Sequence, residues 1–248
     1  MELSRRLRAV AGLVTPGNRL ADVGTDHGYI PIYLIKEKKI PSAIAMDVNR
    51  GPLQRAVVHI SEEGLTEKIE TRLSDGLKEL KPGEVDAAVI AGMGGALTIR
   101  ILEEGREVAE KMKELILQPQ SEIARVRYWL TENGFSIEEE DIVLEDGKYY
   151  PMMRVACHTG KMTRQISEHE ALRDIDALYG PILLKKKSSC LKEYLQWEQG
   201  IKESVLIQLS NASGEAALAR RQEVEQALQK NKKEIGRASC RERVFRAV

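Results

Sequence analysis

Apolar positions in the first part of the chain alternate between two patterns. Short runs of consecutive apolar residues, typical of strands buried on both faces, are each followed by a stretch with helical periodicity. The runs lie at 19–24, 42–48, 69–76, 85–95 and 113–120, and the helical stretches at 2–14, 29–39, 51–64, 98–112 and 122–134. This alternation predicts an α/β fold in which a parallel sheet carries helices on both faces.

The pattern changes twice towards the end of the chain. Residues 135–158 predict two strands joined by a turn at 145–148, and therefore an antiparallel strand at one edge of the sheet. Beyond residue 160 only helical periodicity remains, at 174–186, 188–210 and 214–235. An apolar stripe and a turn at 211–214 predict a helical hairpin; the stripe consists of Leu191, Leu195, Ile201, Val205 and Leu209.

These patterns divide the chain into three parts. We expect an α/β domain at 1–160, a helical hairpin at 161–235 and a tail at 236–248 that is disordered or foreign to the native protein. The 248 residues carry no net formal charge, but the charge is uneven. Residues 1–160 have 21 Lys and Arg against 26 Asp and Glu, whereas the remainder has 17 against 12. The basic second half indicates an anionic partner.

Cysteine and histidine spacing argues against a metal or disulfide protein. Cys157, Cys190 and Cys240 are far apart, and His59, His158 and His169 have no metal-ligand spacing. No apolar run reaches the length of a membrane span, and the first residues lack the apolar core of a signal peptide. We therefore expect a reduced, cytoplasmic protein with no metal and no membrane association.

The candidate functional residues follow the predicted strands, where α/β proteins bind ligands. In the segment "LADVGTDHGYI" (residues 20–30), two glycines permit a tight turn, but Asp22 and Asp26 would repel a pyrophosphate. Asp47 comes 25 positions after Asp22, a spacing at which an acid accepts ribose hydroxyls. S-adenosylmethionine reconciles these features, because it carries adenosine and two cationic groups but no phosphate. The alternative is that the acids only cap the next helix.

Five segments together resemble one family. They are "DVGTDHGYIP", "MDVNRGPL", "SDGL", "AGMGG" and "LQPQSE", and the likeness covers about residues 1–235 but not the tail. The chain resembles the TrmK family of bacterial tRNA methyltransferases, which modify N1 of adenine 22. The resemblance implies a class I, Rossmann-like methyltransferase domain, S-adenosylmethionine as donor, tRNA as substrate, and a coiled-coil-like C-terminal hairpin that helps to hold tRNA.

The resemblance also implies roles for individual residues. Asp47 would bind the ribose, where the family commonly has Glu, and Asp75 and Gly76 would flank the adenine. The full cofactor set is expected to be Asp22, Gly24, Thr25, Asp26, His27, Gly28, Tyr29, Asp47, Val48, Asp75 and Gly76.

Transfer of a methyl group to adenine N1 requires positioning more than proton removal, because N1 already has a lone pair. The ends of the fourth and fifth strands are expected to form the base pocket and comprise Gly92, Met93, Gly94, Gly95, Gln118, Pro119 and Gln120. The alternative is that the glycines only allow close packing and that the glutamines are ordinary surface residues. The basic residues Arg5, Arg6 and Arg8 are either a solvated helix face or contacts to tRNA phosphates.

Two other functions compete with tRNA methylation. A small-molecule methyltransferase would use the same cofactor loop, and a non-catalytic RNA-binding protein would retain the fold alone. The basic second half favours RNA, and the set of three acids at successive strand ends argues against loss of cofactor binding. A nicotinamide-dependent dehydrogenase is disfavoured by Asp26, which would repel the dinucleotide.

Overall fold

The computed structural model describes residues 2–157, 172–210 and 213–239, with side chains as far as residue 236. His158, His169, Cys240, the first half of the predicted 211–214 turn and residues 240–248 of the predicted tail lie outside these ranges. The chain divides into two compact units, Met1–Gly180 and Pro181–Val248. No helix in the described ranges is both long and apolar enough to cross a membrane.

A seven-stranded sheet forms the centre of the first unit, with strand order β3-β2-β1-β4-β5-β7-β6. Strands β1 to β5 are mutually parallel, and β6 and β7 run antiparallel to their neighbours. Their bounds are β1 Leu20–Val23, β2 Ala43–Asp47, β3 Ile69–Leu73, β4 Ala87–Met93, β5 Glu114–Pro119, β6 Ser136–Glu145 and β7 Lys148–Ala156. The predicted parallel sheet with an antiparallel edge is therefore confirmed.

Helices cover both faces of this sheet. Their bounds are α1 Arg5–Leu13, α2 Tyr29–Lys36, α3 Arg50–Glu62, α4 Gly95–Glu104, α5 Arg106–Ala109, α6 Ile123–Glu132 and α7 Asp174–Tyr179. One apolar core contains residues of α4 and α6, among them Leu102 and Leu130. The other contains residues of α1, α2 and α3, among them Val10, Ile32 and Ile60. Successive residues of β1 alternate between the two cores, as expected for a strand buried on both faces.

The single helix predicted at 98–112 is wrong. Helix α4 begins earlier, at Gly95, and ends at Glu104, and Gly105 separates it from α5, which begins at Arg106. A Cβ at Gly105 would lie 2.6 Å from the Cβ of Leu77, so the backbone approaches its neighbour closely there. An isolated glycine within a helical pattern gave no sufficient signal for this break.

The strands β6 and β7 form the predicted hairpin. Asp146 and Gly147, at φ 48° and 72°, supply the two positive φ angles that a tight two-residue hairpin turn requires. Behind this hairpin the guanidinium of Arg127 donates to Glu140 (2.8 Å) and to the carbonyl of Ala177 (2.8 Å). Arg127 and Glu140 are almost fully buried, and their pairing joins α6, β6 and α7.

The second unit is helical and comprises α8 Pro181–Lys186, α9 Ser189–Ser210 and α10 Glu215–Ser239. The single helix predicted at 174–186 is wrong, because Gly180, at φ 87°, separates α7 from α8, which begins at Pro181. Helix α10 also continues four residues beyond 235, to Ser239.

Helices α9 and α10 pack together, which confirms the helical hairpin. Leu191 and Leu195 of the predicted stripe are buried, but Ile201 is 44% exposed. A polar contact also joins the two helices: the side-chain amide of Asn231 donates to the carbonyl of Leu195 (3.0 Å) and to Glu198 (2.9 Å).

Candidate functional site

The strand order reverses between β1 and β4, and this is where an open α/β sheet forms a crevice for ligands. Predicted site residues come from neighbouring strands at the same edge. Asp22 lies on β1, Asp47 ends β2, Gly92 lies at the end of β4 and Gln118 lies near the end of β5. The fold therefore brings most of the predicted residues to one edge of the sheet.

The loop after β1 is a tight turn that is held by backbone hydrogen bonds to β2. The amides of Gly24 and Thr25 both donate to the carbonyl of Met46, at 2.8 Å. Gly24 has φ 79°, and a Cβ there would collide with Cε of Met93. Gly28, at φ 69°, precedes the first residue of α2 in a left-handed conformation. Gly24 and Gly28 therefore require glycine on steric grounds, and the loop lies directly against Met93 at the end of β4.

Asp22 and Asp47 are neighbouring buried carboxylates. The pKa of Asp22 is raised to about 6, chiefly by burial; the Thr25 hydroxyl opposes this rise, and repulsion from Asp47 contributes to it. Oδ1 of Asp47 accepts from the backbone amide of Asn49 (2.7 Å), and no other hydrogen bond to the Asp47 carboxylate comes from the residues described. Neither acid forms an ion pair within that part of the chain, so a ligand with a cation and hydroxyl groups would match this position.

The second acid of the loop behaves differently from Asp22. Asp26 is exposed, and its carboxylate pairs with the guanidinium of Arg55 on α3 and lies 3.4 Å from His27. The rings of His27, Tyr29 and His59 are nearly parallel, with centroids 4.8–5.5 Å apart. These contacts join the loop to α3, and the charge of Asp26 is met within the chain instead of facing the crevice as we expected.

The turn after β3 contains the third predicted acid. Two cations hold the Asp75 carboxylate, Lys78 at 2.6 Å and Arg100 at 3.7 Å, and the Lys78 hydrogen bond lowers the pKa of Asp75. Gly76, at φ 65°, packs against Ile101. Val48, beyond the end of β2, is 58% exposed and leaves an apolar surface beside these turns.

The end of β4 contains a β-bulge at Gly92. Ala91 pairs with Gln118 and Met93 pairs with Pro119, so Gly92 is an extra residue with φ 81°. Bulges redirect the backbone next to active sites and remove one residue from the ladder.

The two glycines that follow the bulge differ from each other. Gly94 has an ordinary extended conformation, and a Cβ there would lie 3.2 Å from the hydroxyl of Ser121. A Cβ at Gly95 would lie 2.6 Å from the Ser121 carbonyl and 2.9 Å from Cβ of Glu122. Gly95 is therefore explained by close packing between the first turns of α4 and α6, whereas Gly94 has room for a small side chain.

Gln118 is fully buried, and both ends of its amide are used within the chain. Its Oε1 accepts from Nη1 of Arg6 (2.9 Å), and its Nε2 donates to the carbonyl of Pro119 (3.3 Å). Gln120 is exposed, and its backbone amide donates to the carbonyl of Met93 (2.8 Å). Of the two predicted glutamines, only Gln120 has a side chain that is accessible from solvent.

The three arginines of α1 do not share one environment. Arg6 is half-buried at the strand ends, with its guanidinium carbon 5.5 Å from the ring centre of Tyr150. Arg5 donates to the carbonyl of Leu144 (3.3 Å), and Arg8 is exposed and lies 3.5 Å from Glu2. The sequence pattern gave no indication of Tyr150, Arg55 or Ser121, because each reaches the site only through long-range packing.

Known proteins resemble the chain over almost its whole length. A methyltransferase domain family model matches residues 3–153. The tRNA (adenine(22)-N(1))-methyltransferase of Bacillus subtilis is 34% identical over 220 residues, which are 86% of this chain and 88% of that protein. The chain belongs to the TrmK family.

Solved structures of the family carry the cofactor or its product. M. capricolum TrmK in complex with S-adenosyl-homocysteine has a TM-score of 0.79 at 28% identity, covering 96% of this chain and 100% of that one. A Streptococcus pneumoniae relative in complex with S-adenosyl-L-methionine has a TM-score of 0.79 at 36% identity, covering 94% and 100%.

The site of this chain fits such a cofactor on its own geometry. Asp22 and Asp47 provide negative charge, no cation among the described residues pairs with either of them, and the glycine turn lets the backbone approach a ligand closely. Among the described residues there is no group of His, Cys, Asp or Glu suited to hold a metal ion.

Proposed function

We propose that this chain methylates N1 of an adenine in tRNA, with S-adenosylmethionine as the methyl donor. The observation that carries the proposal is the pair of buried carboxylates, Asp22 and Asp47, at adjacent strand ends with no cation from the described residues. Its family relatives support the substrate: the Bacillus subtilis protein carries the name of a tRNA (adenine(22)-N(1))-methyltransferase.

The cofactor, when bound, supplies an electrophilic methyl group on a sulfonium cation. Asp47 would accept the ribose hydroxyls with the carboxylate oxygen that Asn49 does not use. Asp22 would place its charge near the cationic end, and the loop from Gly24 to Gly28 would contact that end with backbone groups. Asp75, Gly76 and Val48 would border the adenine ring; Thr25, Asp26, His27 and Tyr29 would hold the loop in shape.

The residues after β4 and β5 would position the target base. Gly92 to Gly95 leave space beside the loop, and Met93 would form the floor between the loop and the base. Because adenine N1 attacks without deprotonation, the chain needs only to exclude water and align the base. Carbonyls at the Gly92 bulge would accept hydrogen bonds from the N6 amino group, and Pro119 and Gln120 would border the base.

The tRNA would also contact surfaces outside the crevice. Arg5, Arg6 and Arg8 of α1 lie on the first unit, and the second unit, residues 181–248, has 14 Lys and Arg against 8 Asp and Glu. Phosphates would interact with both surfaces, and the affinity for tRNA would therefore decrease with salt. The tRNA substrate implies that the protein acts in the cytoplasm, and position 22 as the target rests on the named relative.

Methyl transfer to defined tRNAs tests the proposal. The purified chain and labelled S-adenosylmethionine are incubated with a tRNA that has adenine at position 22 and with a matched tRNA that has guanine there. Nucleoside mass spectrometry should find 1-methyladenosine only in the first. Methylation of neither tRNA, together with methylation of small nucleosides, would show that the chain is a small-molecule enzyme instead.

A further inference from the structure

Arg6 differs from the other cations of the first unit in how it is held. Its Nη1 donates to the buried amide of Gln118 (2.9 Å), and its guanidinium lies against Tyr150. The same Nη1 lies 3.6 Å from the position that a Cβ of Gly92 would occupy. A neutral amide and an aromatic ring therefore orient the guanidinium at the bulge, next to the crevice.

The charge of Arg6 is not neutralised within the described chain. Glu145 accepts the backbone amide of Arg6 (3.2 Å), but no carboxylate of the described residues pairs with the guanidinium. Several other arginines of the unit do have carboxylate partners: Arg19 pairs with Asp86 at 2.8 Å, and Arg72 pairs with Glu84 at 2.8 Å. An oriented, half-buried guanidinium with unused N–H groups suits an external oxyanion.

Gln118 acts through Arg6 and not on the base. Since its Oε1 faces Arg6 and its Nε2 faces the Pro119 carbonyl, neither end is available to read an adenine edge. On the far side of the bulge, Nε2 of Gln120 lies 3.8 Å from the same Gly92 position and adds a second donor. The absence of a side chain at Gly92 leaves the space between the two donors open.

We propose that Arg6, oriented by Gln118 and Tyr150 and assisted by Gln120, binds a phosphodiester of the RNA strand at the target nucleotide. The inference rests on the proposed function and assigns to Arg6 a role that Arg5 and Arg8 do not share. The cofactor carboxylate is the other oxyanion in the reaction. The phosphodiester is favoured because Arg6 lies at β4 and β5, whereas the acids for the cofactor lie at β1 and β2.

Four variants of the full chain test this assignment. Arg6→Gln removes the charge, and Arg6→Lys keeps it without the planar fork. Gln118→Glu keeps Arg6 but gives it an internal carboxylate. Arg106→Gln is the matched control, because Arg106 is an exposed arginine of α5 that pairs with Glu110 (2.6 Å) away from the strand ends. Circular dichroism checks the fold of each variant.

Three measurements separate the outcomes: tRNA affinity as a function of salt concentration without cofactor, methylation rates over a range of tRNA concentrations, which give kcat and kcat/KM, and S-adenosylhomocysteine affinity by calorimetry. Arg6→Gln and Gln118→Glu should each lower the salt slope of tRNA binding by about one and kcat/KM by at least about tenfold. Arg6→Lys should keep the slope and lose turnover, because an ammonium lacks the bidentate geometry. All variants should bind S-adenosylhomocysteine within about twofold of the wild type, as a phosphate role requires.

The proposal is overturned if Arg6→Gln matches Arg106→Gln in salt slope and kcat/KM. It is also overturned if Arg6→Gln weakens S-adenosylhomocysteine binding tenfold with an unchanged slope, since the anion is then the cofactor carboxylate. A wild-type chain that binds tRNA but does not methylate it contradicts the proposed function instead, and the salt slopes still decide the role of Arg6.

Discussion

Two adjacent glycines after β4 should separate turnover from folding. Gly94 is extended, with φ −68° and ψ 154°, so any residue can adopt its backbone conformation. A Cβ there would meet only the Ser121 hydroxyl, at 3.2 Å, and that hydroxyl can rotate. Gly94→Ala should therefore fold with a midpoint within about 2 °C of the wild type, since its free-energy change stays near 0.5 kcal/mol.

Gly95→Ala should instead destabilise the protein. Its Cβ would lie 2.6 Å from the Ser121 carbonyl and 2.9 Å from Cβ of Glu122, and these atoms cannot rotate away. Overpacking against fixed atoms costs about 2–3 kcal/mol, from which about 0.5–1 kcal/mol of improved helix propensity is subtracted. The net loss of about 1–2.5 kcal/mol corresponds to a fall in melting temperature of about 2–10 °C.

Substitution at Gly94 should affect methylation activity more than substitution at Gly95, which is the reverse of their order for stability. Gly94→Val places a branched side chain beside the cofactor loop, and a misplaced base costs about 100-fold in rate. Single-turnover methylation, calorimetry with S-adenosylhomocysteine and thermal melting by circular dichroism are compared for Gly94→Ala, Gly94→Val and Gly95→Ala. A folded Gly94→Val variant that binds cofactor and methylates tRNA at the wild-type rate would refute the base-pocket reasoning.

Four further predictions concern the cofactor acids, a buried ion pair and the hairpin. Asp47→Ala should weaken S-adenosylhomocysteine binding at least about tenfold by calorimetry, because each charge-assisted hydrogen bond contributes about 1.5–3 kcal/mol; unchanged affinity would contradict the ribose role. Folding raises the pKa of Asp22 from 3.8 to about 6, so ionisation of Asp22 destabilises the unliganded fold. This destabilisation is absent below about pH 4 and complete above about pH 6. Asp22→Asn should therefore increase the free energy of unfolding by about 3 kcal/mol at about pH 8, because it removes the cost of ionising this buried carboxyl. Near pH 4 the variant should match the wild type in urea titrations, and equal stability of the two proteins at both pH values would refute this. Arg127→Met removes the guanidinium that pairs with the buried Glu140 carboxylate and should cost about 3–5 kcal/mol in urea unfolding, whereas a loss below about 1 kcal/mol would show that the pair is dispensable. Truncation after Gly180 should preserve cofactor affinity but weaken tRNA binding and its salt slope, and unchanged tRNA binding would assign the hairpin another role.

The truncation point shows what the structure adds to the sequence. A cut at residue 160 follows from the loss of strand signals, but it would remove α7, whose Ala177 carbonyl accepts from buried Arg127. Helix α7 belongs to the first compact unit for that reason. A hydrogen bond between residues 50 positions apart leaves no trace in local periodicity.

The sequence predicts which residues lie at the strand ends, but it does not predict which partners their side chains contact. Apolar runs placed Asp22, Asp47 and Gly92 at one edge, because parallel strands share the direction of their ends. The pairing of Asp26 with Arg55 and of Arg6 with Gln118 depends on how helices α1 and α3 pack on the sheet. Side chains that look equivalent in sequence, such as Arg6 and Arg8, then acquire different environments.

The position of Arg6 has a consequence for the order in which the protein is made. The residues proposed to bind the cofactor run from Asp22 to Gly76, and they leave the ribosome as one continuous stretch. Arg6 emerges before them, yet its partner Gln118 follows 112 residues later and Tyr150 later still. Since N-terminal segments are synthesised first and a long loop must close before such contacts form, this corner of the site is completed only when β7 has been made. A nascent chain would thus acquire the geometry for its cofactor before the geometry around Arg6.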